Sequence, residues 1–128
     1  MKKRLLPLML LMMAVIFISS CSNHGTKIEL KDGELFYTSN VTEDDANKLG
    51  KWLEENYFVQ NKDASVQLEK EGDVFQAKFV VRDDVNLDDE NVVAYANMLL
   101  EGVKTVFPDS KVEIHLCDDK LETQKVVK

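Results

Sequence analysis

Two apolar runs of strict alternation meet at Gly72, and this junction constrains the fold more than any other stretch. Before it, Val66 and Leu68 share one side of an alternating run with Ser65, Gln67 and Glu69 on the other. After it, Phe75, Ala77, Phe79 and Val81 alternate with Gln76, Lys78 and Val80. A period of two puts each set on one side of a pleated strand. Lys70-Glu71-Gly72-Asp73 supplies the turn between them, so the pair reads as a β-hairpin with one apolar face. That face has to be covered.

On either side of the hairpin the period changes to that of a helix. Thr42-Glu43-Asp44-Asp45 has the form of a helix start, with Thr42 as the cap, Asp45 at the third helical position and three acids at the positive end of the dipole. Ala46, Leu49, Leu53 and Tyr57 then fall on one face of a helix that ends near Tyr57–Phe58. Gly50 lies beside that stripe and costs about 1 kcal/mol against Ala inside a helix, which points to a close approach to the sheet. Trp52 flanks the stripe and is expected to be partly buried. A second helix starts at about Asp88. Val92, Ala96, Leu99, Val103 and Val106 make its stripe, Leu100 and Phe107 widen it, and Pro108 stops it.

Two further strands complete the pattern. Glu34–Thr38 follows Gly33, and Lys111–Cys117 alternates with Val112, Ile114 and Leu116 on one side and Glu113, His115 and Cys117 on the other. Leu121–Val127 fits either a short edge strand or a tail. The order β-α-β-β-α-β predicts an α+β domain of the ferredoxin-like (split βαβ) kind. That is a two-layer sandwich with an antiparallel sheet and both helices on one face.

The first twenty residues are of a different kind. Lys2, Lys3 and Arg4 form a basic head, Leu5 to Ile18 are apolar throughout, and Ser19 and Ser20 stand before Cys21. This is the three-part plan of a secretory signal. The 14 residues from Leu5 to Ile18 fall short of the ~20 needed to cross the hydrocarbon core. Ile18-Ser19-Ser20-Cys21 resembles the lipobox of bacterial lipoproteins, in which an aliphatic residue lies three positions before an invariant Cys. The resemblance implies diacylglyceryl transfer to the Cys21 thiol and cleavage between Ser20 and Cys21. It also implies a mature protein held in the cell envelope on its acyl chains, each buried methylene contributing about 0.8 kcal/mol. Ser22 after the Cys is compatible with outer-membrane sorting in a host that has one. The chain then divides into a signal over 1–20, a lipidated Cys and flexible tether over 21–32, and one domain over 33–128. Ser22 to Asp32 is polar, His24 reads as a solvated linker residue, and about ten extended residues would let the domain stand ~30 Å off the bilayer.

Charge excludes one class of partner. Beyond residue 20 the chain carries 13 basic against 23 acidic residues, a net charge of −10. Such a surface repels phosphate backbones and anionic headgroups, so neither nucleic acid as a partner nor direct docking of the domain onto the bilayer is expected. With Cys21 assigned to the lipid, Cys117 has no disulfide partner within the chain.

Three groups of residues invite a chemical reading. Asp84, Asn86 and Asp88 have the opening spacing of a calcium loop, but the positions that should be Gly and Glu are Asp89 and Tyr95. A solvated loop whose acids cap the second helix accounts for them, and no metal or other cofactor is expected. His115 and Cys117 lie on one side of a strand about 7 Å apart. A zinc site needs two more ligands, and a Cys–His nucleophile needs a cleft and an oxyanion hole. The third group is a surface: Phe36, Gln76, Lys78, Val80, Glu113 and His115 would share the sheet face opposite the helices, a mixed open face suited to a protein partner. The leading expectation is a non-catalytic binding module on a membrane anchor. The alternatives are a ligand or cation sensor using residues 83–90 and an enzyme using His115 and Cys117.

Overall fold

A computed structural model describes residues 24–128, so the signal segment, Ser20 and Cys21 lie outside the described residues. Within the described residues, six strands and two helices follow one another. The strands are β1 (Thr26–Leu30), β2 (Gly33–Tyr37), β3 (Ala64–Glu71), β4 (Val74–Val80), β5 (Lys111–Cys117) and β6 (Thr123–Val127). Helix α1 (Glu43–Asn56) joins β2 to β3, and α2 (Glu90–Val106) joins β4 to β5. The fold is three β-hairpins linked by two helical crossovers.

The sheet order is β1-β2-β3-β4-β5-β6, each strand beside its neighbours in sequence. Hairpin neighbours pair antiparallel, whereas the helix-linked pairs β2–β3 and β4–β5 are parallel. This differs from the expected split βαβ arrangement with its antiparallel sheet. A ferredoxin-like order inserts a strand between the two joined by each helix. Here each helix returns the chain to the adjacent position, so both βαβ units are unsplit. The expected β-α-β-β-α-β string fits either order, because it fixes which elements exist and leaves open which strands adjoin.

The expected hairpin forms, with Gly72 and Asp73 as a two-residue loop between paired Glu71 and Val74. Gly72 has φ +63, the left-handed conformation that such a loop requires of its first residue. The C-terminal segment is a strand: β6 pairs with β5 and forms one edge of the sheet. The opposite edge is β1, formed by residues expected to lie in the tether. Only Ile28 and Leu30 give that segment an apolar side, too little to distinguish it from a polar linker.

Alternate strand residues face one core. Leu35, Val66, Leu68, Phe75, Ala77, Phe79, Val112, Ile114 and Leu116 join Ala46, Leu49 and Leu53 of α1 and Ala96, Leu99, Leu100 and Val103 of α2 in one buried cluster. Both helices therefore cover the same side of the sheet. Burial of each large apolar side chain contributes about 1.5–3 kcal/mol. Thr42 caps α1 as expected, its hydroxyl accepting from the Asp45 amide at 3.1 Å. Asp89 caps α2 by accepting from the Asn91 amide at 2.8 Å. At Gly50 a β-carbon would lie 3.3 Å from the Leu30 methyls, which is the close approach the sequence implies. Beyond α2, the Phe107 ring stacks on Phe75 with centroids 4.0 Å apart, and Lys70 Nζ lies 4.8 Å from the Phe75 centroid.

Candidate functional site

The side of the sheet away from the helices carries the predicted surface. Strand register sets Lys27 beside Phe36, Phe36 beside Gln67, Gln67 beside Lys78, Lys78 beside His115 and His115 beside Val126. One rung thus crosses all six strands. Gln76 and Glu113 pair on the next rung, and Val80 and Cys117 pair on the rung at the other side. Phe36, Gln76, Lys78, Val80, Glu113 and His115 all belong to this face because each is an odd number of residues from a core position on its strand.

Two halves of the face differ in what occupies them. Over β1–β3 the chain's own leading residues lie on it. The His24 ring meets Phe36 edge-on with centroids 5.4 Å apart, and the His24 carbonyl accepts from Gln67 Nε2 at 2.8 Å. Gly25 adopts φ +97, and a β-carbon there would strike the Tyr37 carbonyl. His24 was expected to be a solvated linker residue; it is instead a contact of the sheet. Phe36 is accordingly taken up within the chain. Lys27 Nζ lies 2.9 Å from Glu29 and 3.3 Å from Glu34, and these hydrogen bonds, that to Glu29 foremost, raise the Lys27 pKa above its usual value. Ser65 donates to Glu34 at 2.6 Å.

Over β4–β6 the polar side chains pair with one another and with Glu69 of β3. Lys78 Nζ lies 2.6 Å from Glu69, with only 16% of the lysine side chain exposed. His115 is buried, with Nε2 3.0 Å from Glu113 and Nδ1 2.9 Å from the Thr123 hydroxyl. A single tautomer satisfies both contacts: Nε2–H donates to the Glu113 carboxylate and Nδ1 accepts from Thr123. Lys128 Nζ approaches the second Glu113 oxygen at 3.9 Å. Val126, beside His115, is 41% exposed.

His115 and Cys117 are not arranged as a nucleophile pair. Cys117 is fully buried, and its Sγ contacts the His115 carbonyl at 3.7 Å and Thr123 Oγ1 at 3.8 Å. Burial pushes its thiol pKa up, so the thiolate that a nucleophile requires is disfavoured. Both His115 nitrogens are engaged elsewhere, and neither is hydrogen-bonded to the sulfur.

The acidic loop holds its carboxylates apart. Asp84 pairs with Arg82 at 3.1 Å, Asn86 Oδ1 accepts from the Asp88 amide at 3.0 Å, and Asp88 pairs with Lys125 of β6 at 3.0 Å. Among the described residues no group of three His, Cys, Asp or Glu side chains is placed to hold a metal ion. No helix among them is long and apolar enough to cross a membrane.

Sequence reasoning missed Gln67 and Thr123, which organise the two halves of the face. Gln67 sat in view as a polar residue of an alternating strand, but its partner is a backbone atom 43 residues away. Thr123 faces His115 only because β6 pairs with β5.

Residues 27–128 match the model of a family N-terminal domain, AF_1994_N. The match opens at the second residue of β1 and takes in both helices and the five remaining strands. No curated protein and no solved structure matches the chain.

Proposed function

The chain belongs to the AF_1994_N family N-terminal domain, and we propose that it is an exported lipoprotein whose domain binds another protein without catalysing a reaction. The lipobox-like Ile18-Ser19-Ser20-Cys21 supports the anchor. The observation that carries the binding role is the shared placement of Gln76, Lys78, Val80, Glu113 and His115 on a sheet face left uncovered by both helices, where Gln76, Val80 and Glu113 are half-buried and the buried His115 holds Glu113 in place. Polar side chains locked into pairs present a fixed pattern of donors and acceptors, and the exposed Val126 adds apolar contact area beside them. A partner reading this pattern gives up little side-chain entropy on the protein's side. The mature surface, with its net charge of −10, favours a partner whose contact region is basic or neutral.

The test is photo-crosslinking from position 76 in intact cells that make the full chain. A specific adduct is expected from the anchored protein, with a weaker one from Cys21→Ser, which lacks the acylated thiol. Loss of all specific adducts from the open face would count against the binding role. Recovery of Cys21→Ser and wild type equally in the membrane fraction would count against the anchor.

A further inference from the structure

We propose that the β1–β3 half of the open face is the membrane-proximal surface of this protein, held against zwitterionic lipid headgroups by a tether too short to let the domain turn over. The inference rests on lipidation of Cys21 as proposed above.

His24 fixes where the chain meets the open face. Its carbonyl is hydrogen-bonded to Gln67 in the third strand of the sheet, and its ring lies against Phe36 in the second. Gly25 holds a left-handed φ with its α-carbon tight against the Tyr37 carbonyl, so the backbone is fixed where it leaves the sheet. Cys21 is three residues upstream. Three extended residues span about 10 Å at most. The expected tether of some ten residues is thereby cut to three, and its origin is on the open face.

A tether of that length decides which side meets the bilayer. A helix with its side chains is about 10–12 Å across, and both helices lie beyond the sheet as seen from His24. The far side of the helix layer is thus out of reach of acyl chains attached at Cys21. With those chains in the bilayer, the β1–β3 half of the open face sits at headgroup depth and α1 and α2 point away from it.

The chemistry of that half fits the occupant. Lys27 stands between Glu29 and Glu34, and Glu34 accepts from Ser65. One lysine against two glutamates leaves a carboxylate in excess, which the amine of a zwitterionic headgroup can meet, whereas the charge-based expectation against bilayer docking applies to anionic headgroups. A strongly anionic leaflet would repel the same face, given the net charge of the domain. The β4–β6 half, with Gln76, Val80 and the exposed Val126, remains open to a partner approaching along the membrane.

The test reconstitutes the full-length lipidated protein in phosphatidylcholine–phosphatidylethanolamine vesicles that carry a nitroxide quencher on a headgroup. A fluorophore is placed at Glu29→Cys, on the open face of β1, or at Met98→Cys, on α2, where the native side chain is 55% exposed. Quenching several-fold stronger at position 29 than at 98 is expected. A flexible Gly/Ser linker inserted after Ser22 is expected to erase most of that difference. Equal quenching, or stronger quenching at position 98, in vesicle-bound protein overturns the orientation alone. Protein that fails to sediment with the vesicles overturns the anchor, and the orientation falls with it.

Discussion

Gly102 of α2 lies directly beneath the indole of Trp52 in α1, where an added β-carbon would collide with ring atoms Cζ2 and Cε2. The two helices pack side by side through this contact. On an exposed helix, Gly→Ala gains about 1 kcal/mol. At this site the sign reverses: Gly102→Ala is expected to destabilise by about 1–3 kcal/mol through overpacking. In a Trp52→Ala background the same change is expected to stabilise. Urea unfolding of the four proteins checks this, and a stabilising Gly102→Ala in the wild-type background would refute the packing.

The Phe75–Phe107 stack ties the end of α2 to the fourth strand. Phe107→Ala is expected to cost about 3–5 kcal/mol, as large core truncations do. Met98→Ala, on the exposed side of the same helix, is expected to stay within about 0.5 kcal/mol of wild type. Parallel denaturant curves give both numbers, and equal effects would show that Phe107 is not a core residue.

Cys117 gives a prediction about reactivity. A thiol that is fully buried and shifted toward its neutral form should react slowly with iodoacetamide near neutral pH. Labelling is expected to accelerate by orders of magnitude in denaturing urea. Fast labelling of the native protein would restore the Cys–His enzyme alternative.

Burial also predicts how stability responds to alkali. It raises the Cys117 thiol above its ordinary 9.0, with the Thr123 hydrogen bond opposing the shift in part. It raises the Tyr57 hydroxyl above its ordinary 10.0 as well, with Tyr95 adding to the shift. In both cases the folded state keeps a proton that the unfolded chain releases. The stabilisation is complete below the unfolded values and is lost as pH rises past about 9 for Cys117 and about 10 for Tyr57. Unfolding free energy is therefore expected to be flat with respect to these two groups at neutral pH and to fall above pH 9. Cys117→Ala is expected to flatten the first part of the decline and Tyr57→Phe the second. A decline that neither variant alters would locate the titrating groups elsewhere.

Local features were legible in the sequence wherever the signal was itself local. The Thr42 cap, the Gly72 hairpin and both apolar helix stripes lie within a few residues of what they specify. Membership of the open face was equally readable, since alternation alone assigns Gln76, Lys78, Glu113 and His115 to one side. Strand order was not. Whether a crossover returns to the adjacent strand or skips one depends on packing between elements, and the alternation within each strand is the same in both cases. The edge strand β1 was hidden for a different reason, since an edge needs few apolar residues and Ile28 and Leu30 alternate with Lys27 and Glu29. Contacts across large sequence separations, such as Trp52 over Gly102 and His24 on Gln67, left no mark in either partner's neighbourhood.

The binding role is tested most directly by affinity capture of the full-length protein from its native membrane, made quantitative by two variants. Gln76→Lys combined with Val80→Glu alters the uncovered face, and Met98→Lys alters an exposed position on α2. A stoichiometric partner is expected with wild type and with Met98→Lys, and its loss with the double variant at equal folded yield. The same partner recovered with all three proteins, or none with wild type, would contradict the binding role.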